Sequence, residues 1–108
     1  MRDIDIQLLR LLESEPSLTQ KEISQRLGVS AGKVNYCLRA LIGKGLIKMH
    51  NFTQSPNKKK YAYLLTPKGV EAKARLTYHF LQRKLKEYER LKREIEELQK
   101  EYGVGGMD

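Results

Sequence analysis

Cysteine is almost absent: Cys37 is the only one in 108 residues, so no disulfide can close within the chain. Long apolar runs are missing too, and nothing approaches the ~18 consecutive apolar residues of a membrane span. The opening residues, Met1-Arg2-Asp3-Ile4-Asp5, are acidic where a secretory leader is basic. The cytoplasm is therefore the expected compartment, with no membrane partner. His50 and His79 are isolated in sequence, and Cys37 has no companion at metal-ligand spacing. Gly28, Gly32, Gly43, Gly45 and Gly69 make no phosphate-binding loop. These gaps leave no residue set for metal chemistry, nucleotide chemistry or nucleophilic catalysis. The expectation is a protein that is not an enzyme and carries no cofactor and no metal.

Acid is scarce in one stretch only. Between Gln20 and Lys60 there are nine basic residues (Lys21, Arg26, Lys33, Arg39, Lys44, Lys48, Lys58, Lys59, Lys60) against Glu22 alone. From Pro67 to Asp108 there are ten basic and eight acidic residues. The formal charge of +8 therefore sits mainly on one segment. A concentrated positive field attracts a polyanion, and nucleic acid is the commonest one. A length of 108 residues gives one small domain, and the mix of 40% hydrophobic and 31% charged residues suits a small core with a solvated helical appendage.

Apolar spacing supplies the element order. Asp3 to Ser14 reads as a helix with Ile4, Leu8, Leu11 and Leu12 on one face and Leu9 beside them, stopped by Pro16. Thr19 and Glu22 form a capping box that opens a second helix, with Ile23 and Leu27 inward and Gly28 ending it. After Gly28-Val29-Ser30 a third helix starts on Ser30, with Val34, Cys37, Leu38 and Leu41 inward, and Gly43 and Gly45 closing it. A buried cysteine at that position acts as a small hydrophobe. Leu46 to Phe52 and Lys60 to Leu65 read as two strands of a hairpin, with Tyr61, Tyr63 and Leu65 on one side. Between them Thr53 to Lys59 forms a long basic tip. Thr66-Pro67 opens a fourth helix of about 36 residues, roughly 54 Å at 1.5 Å per residue. Gly103 to Asp108 is expected to be a flexible tail.

Two short helices joined by a three-residue glycine-containing turn make a helix-turn-helix, whose second helix is free to enter a major groove. With the hairpin as a wing, the fold class is mainly α with an α+β wing: a winged helix-turn-helix with a long C-terminal dimerisation helix. Residues 1–66 form the DNA-binding domain, 67–102 the dimerisation helix and 103–108 the tail. The chain resembles MarR-type transcriptional regulators in Leu27-Gly28-Val29-Ser30, in Val34 and Leu38, and in Leu41-Ile42-Gly43-Lys44-Gly45-Leu46-Ile47. Leu65-Thr66-Pro67-Lys68-Gly69 also resembles the family's junction into its dimerisation helix. The likeness covers residues 4 to about 75, and the nearest subgroup is the small regulators linked to exopolysaccharide gene clusters. Two departures stand out. The extra N-terminal helix that family members use for dimerisation and for a ligand pocket has no counterpart here, which leaves an effector unassigned. The family's wing Asp-Arg pair is replaced by Asn57-Lys58-Lys59-Lys60, and lysine lacks the planar fork of arginine, so weaker minor-groove reading is expected.

On the third helix Ala31, Gly32, Lys33, Asn35, Tyr36 and Arg39 are expected to point outward, after the cap Ser30. Asn pairs with adenine through two hydrogen bonds, and Lys and Arg bond guanine or phosphate. Small Ala31 and Gly32 allow close approach. Ser17, Thr19, Gln20 and Lys21 at the start of the second helix, and Lys58, Lys59 and Lys60 on the wing, are expected phosphate contacts.

In the long helix a heptad places Ala74, Leu81, Tyr88, Ile95 and Tyr102 at one core position and Thr77, Lys84, Leu91 and Leu98 at the other, with Leu85 beside the interrupting Lys84. Leu81, Leu85, Tyr88, Leu91, Ile95, Leu98 and Tyr102 are the expected dimer seam. The step from Glu87 to Lys92 is the spacing of an interchain pair in a parallel coil. The functional expectation is a sequence-specific double-stranded-DNA-binding transcriptional regulator, acting as a homodimer on a palindromic site. The alternative is a winged-helix protein-interaction adaptor that pairs through its C-terminal coiled coil. RNA binding is disfavoured because no exposed aromatic platform for stacked bases is evident.

Overall fold

A computed structural model describes residues 1–55 and 58–103, with side chains except over 52–60. The elements are α1 (Asp3–Ser14), α2 (Gln20–Leu27), α3 (Ala31–Gly43), β1 (Ile47–Ser55), β2 (Lys58–Leu65) and α4 (Pro67–Glu101). They divide into two compact units, Met1–Thr77 and Tyr78–Asp108.

Local chemistry explains the helix ends in the first unit. The Arg2 backbone N–H donates to the Asp5 carboxylate at 2.9 Å and opens α1. Asp5 is the buried charged residue of the core region, and this bond satisfies it. At α2 the capping box is reciprocal: Glu22 N–H donates to Thr19 Oγ1 at 3.1 Å and Thr19 N–H donates to Glu22 Oε1 at 2.9 Å. Gly28 ends α2 at φ +68°, the left-handed conformation glycine adopts without a Cβ penalty. Ser30 Oγ accepts from Lys33 N–H at 3.1 Å and starts α3.

The core is one cluster from α1, α2, α3, the base of the hairpin and the first turns of α4. Leu8, Leu9, Leu12, Ile23, Val34, Cys37, Leu38 and Leu41 are fully buried in it. Each such leucine stabilises the fold by about 1.5–3 kcal/mol relative to exposure. The face of α1 centres on Leu8, Leu9 and Leu12, while Ile4 and Leu11 are only partly buried at its margin. Ile6, absent from the expected face, is buried.

β1 and β2 pair antiparallel, from Ile47 opposite Leu65 to Ser55 opposite Lys58, with an irregularity between Thr53 and Ser55. Tyr63 N–H donates to Pro16 O at 2.9 Å and ties β2 to the α1–α2 connection. Two expectations are corrected here. The strands continue to Ser55 and from Lys58, so the expected tip of residues 53–59 is mostly strand; Pro56 and Asn57 lie outside the described residues. Tyr61 does not join Tyr63 and Leu65 on the core: it is 42% exposed, while Ala62 is buried. A two-stranded ribbon twists strongly along its length, so alternation alone does not keep Tyr61 over the helices that cover Tyr63.

The first turns of α4 belong to the winged unit. Thr66 Oγ1 accepts from Gly69 N–H at 3.0 Å and donates to Gly45 O at 2.6 Å, and Thr66 N–H donates to Leu46 O at 3.1 Å. A Cβ on Gly69 would lie 2.0 Å from Leu46 O, so no side chain fits there. Ala72 is buried and Leu76 packs on the core. These contacts carry the compact unit past the expected boundary at residue 66, on to Thr77.

In the second unit every side chain from Leu81 to Tyr102 is exposed. Leu81, Leu85, Tyr88, Leu91, Ile95, Leu98 and Tyr102 recur at helical spacing. Lys84 Nζ pairs with Glu87 at 3.3 Å, within the helix. The helix ends at Glu101, with Tyr102 in a turn and Gly103 at φ +76°. Of the expected tail, residues 104–108 lie outside the described residues.

Candidate nucleic-acid interface

The three-residue turn and the two caps fix α3 against α2, and burial of Val34, Cys37, Leu38 and Leu41 dictates which residues face out. Ala31, Gly32, Lys33, Tyr36 and Arg39 are exposed, and Tyr36 is 67% exposed. α3 contains no acidic residue. A Cβ at Gly32 would meet nothing within 4 Å, so the chain's own packing does not demand a small residue there.

Asn35 is different from the outward residue expected. It is half-buried, and its Nδ2 donates to Gln20 Oε1 at 3.3 Å. Gln20 is also half-buried, and its Nε2 donates to the Tyr63 hydroxyl at 3.1 Å. The carboxamide of Gln20 is therefore engaged inside the domain through its oxygen and one of its two N–H donors. The reason is geometric: α2 begins beside β2, so Gln20 reaches Tyr63 on one side and α3 on the other. Gln20, Asn35, Arg39, Ile42, Met49 and Tyr63 line an open hollow of about 420 Å³.

Ser17 and Lys21 are exposed at the start of α2. The Thr19 and Ser30 hydroxyl oxygens accept cap hydrogen bonds, and each O–H remains a donor. Lys58, Lys59 and Lys60 stand in β2, opposite Ser55, Thr53 and Phe52, rather than in a loop. Their side chains fall outside the described ones.

Arg2 is the residue that reading the sequence missed. Its guanidinium lies 5.8 Å from the centroid of the Tyr36 ring, and Nη2 donates to Cys37 Sγ at 3.3 Å. Its Nε lies 3.8 Å from Asp5 Oδ2. One more cation thus stands on the exposed face of α3, held by a carboxylate, a sulfur and a ring. The spacing of Arg2 and Asp5 suggests a helix cap, but no local pattern connects Arg2 to Tyr36. Elsewhere in the domain Arg26 makes a two-point pair with Glu15, at 2.6 and 3.1 Å. That hydrogen bond holds the Glu15 carboxyl below its usual range.

Among the described residues no group of three or more His, Cys, Asp or Glu is placed to hold a metal. No helix among them is long and apolar enough to cross a membrane.

Residues 1–48 match the family model described as winged helix-turn-helix DNA-binding. Among curated proteins nothing matches the chain. Solved structures share the fold. A variant of ZitR from Lactococcus lactis is 24% identical, with 87% of this chain and 62% of that one covered, at a TM-score of 0.67. FabT from Streptococcus pneumoniae, solved in complex with DNA, is 21% identical, with 95% and 74% covered, at 0.62. The zinc-dependent MarR family transcriptional regulator AdcR, in its Zn(II)-bound state, is 25% identical, with 84% and 60% covered, at 0.58. The chain thus spans about three fifths of the ZitR and AdcR chains. From its capped turn and its basic third helix to these likenesses, residues 1–48 are similar to winged helix-turn-helix DNA-binding domains, and the chain shares its fold with ZitR, FabT and the MarR family regulator AdcR.

Proposed function

We propose that the protein is a sequence-specific transcriptional regulator that binds double-stranded DNA in the cytoplasm as a homodimer, and that it has no catalytic role. The observation that carries the reading is the outward face of α3. Lys33, Tyr36 and Arg39 are exposed there with Arg2 beside them, on a helix without acid and started by a tight capped turn. A major groove admits one such helix, and its phosphates accept the flanking cations. The DNA-bound state of FabT, a protein of the same fold, supports this choice of ligand.

The homodimer reading rests on the apolar face of the second unit. A seven-residue apolar strip on an otherwise polar helix is the pattern by which helices pair in coiled coils. Two domains related by a two-fold axis match a palindrome with half-sites roughly 34–36 Å apart.

Anisotropy titrations of a labelled duplex from upstream of the protein's own gene, across a salt series, test the reading. Affinity should fall steeply with salt, by about 0.9 in log–log slope per neutralised phosphate. A random-sequence duplex should compete poorly. Equal competition overturns sequence specificity, and absence of binding to either duplex overturns the reading.

A further inference from the structure

The side chains of Tyr63, Gln20 and Asn35 are linked in series. Gln20 Nε2 donates to the Tyr63 hydroxyl, and Gln20 Oε1 accepts from Asn35 Nδ2. Tyr63 is buried, and its backbone is fixed to Pro16 O. A carboxamide has two N–H donors and one acceptor oxygen. With one N–H held by Gln20, Asn35 has its second N–H and Oδ1 left, and neither has a partner among the described residues. One donor beside one acceptor is the set that the major-groove edge of adenine complements, through N7 and the N6 amino group.

Resting on the DNA-binding reading above, we infer that Tyr63 is a positioning residue for base recognition: through Gln20 it holds the Asn35 carboxamide in the orientation that selects adenine. Without the phenolic hydroxyl, Gln20 loses its anchor on β2, and the Asn35 carboxamide that rests on it is free to turn. A freely turning carboxamide offers two donors as readily as one donor and one acceptor, and two donors fit guanine, whose major-groove edge shows two acceptors. Tyr63 lies 43 positions from Gln20 and touches no base in this scheme, so its effect is on selectivity.

Selection from a pool of randomised duplexes, with sequencing of the bound fraction, tests this on the full chain. The parent should enrich a motif with an adenine in each half-site, and Asn35→Ala should lose that preference. Tyr63→Phe should weaken the adenine preference at the same position by about fivefold, the factor to which one net hydrogen bond corresponds. The lost share should go to guanine, with the other positions unchanged. Gln20→Glu is the control. A carboxylate accepts from both Asn35 N–H and Tyr63 O–H, so adenine preference should survive while overall affinity drops from the added negative charge. A Tyr63→Phe motif identical to the parent's, or an even loss at every position, overturns the inference and leaves the regulator reading standing. A parent that enriches nothing overturns both.

Discussion

Leu8, Leu9 and Leu12 in α1 and Leu91, Ile95 and Leu98 in α4 are the same kinds of residue at similar helical spacing, yet their surroundings are opposite. The first three are buried in one cluster with residues of α2, α3 and the hairpin base. The second three remain about half exposed, Ile95 at 46% and Leu98 at 55%. An apolar helical face thus signals burial without saying against what. In the winged unit the chain supplies its own cover. In the second unit the same kind of face is exposed, and the proposed homodimer would cover it with a second copy.

The strongest way to sharpen the contrast is one truncation in each region. Leu38→Ala should destabilise the winged unit by about 2–5 kcal/mol in urea unfolding, because it leaves a cavity in a filled core. Leu91→Ala with Leu98→Ala should leave that transition in place and instead lower the mass measured by light scattering toward one chain. If the parent already has the mass of one chain, the homodimer fails. Gly69→Ala should come next in size, costing about 1–3 kcal/mol or more, since the new Cβ meets a backbone oxygen that cannot step aside alone. Thr19→Ala should cost about 1 kcal/mol by removing the cap of α2.

On the DNA side, replacing Lys58, Lys59 and Lys60 together by Ala should flatten the salt slope by up to about 0.9 per lost phosphate contact, with little change in base preference. The smallest effect concerns pH. The Glu15 carboxyl is lowered by its hydrogen bond from Arg26, so its stabilising contribution is present above the ordinary carboxylate range. It is lost as the pH falls through the lowered value. The gap in urea midpoint between parent and Glu15→Gln should therefore narrow toward acid. A gap constant with pH removes this ion pair from the stability of the domain.

The parts of the fold legible in the sequence are those encoded over three or four positions. Thr19 with Glu22, Gly28, Ser30 and the inward set of α3 are short-range codes, and each element stands where those codes put it. The strand ends were less legible, because Thr53 to Lys59 has polar turn-forming residues and no alternation to mark where pairing stops. What escaped altogether depends on long-range approach. Asn35 is half-buried because Gln20 and Tyr63 come to it across the fold, and Arg2 reaches the exposed face of α3 only because α1 begins beside Tyr36. The boundary at Thr77 likewise follows from α4 meeting the Leu46 backbone, which nothing within residues 66–77 announces.

The close approach of Gly69 to Leu46 also bears on how such a chain can diverge. Any residue that replaces this glycine brings in a β-carbon, so substitution at this joint has no mild first step. The heptads further along have many: an aliphatic residue there is exchanged for another with no backbone in its way. Substitution is therefore expected to be freer along the distal helix than at the joint that launches it.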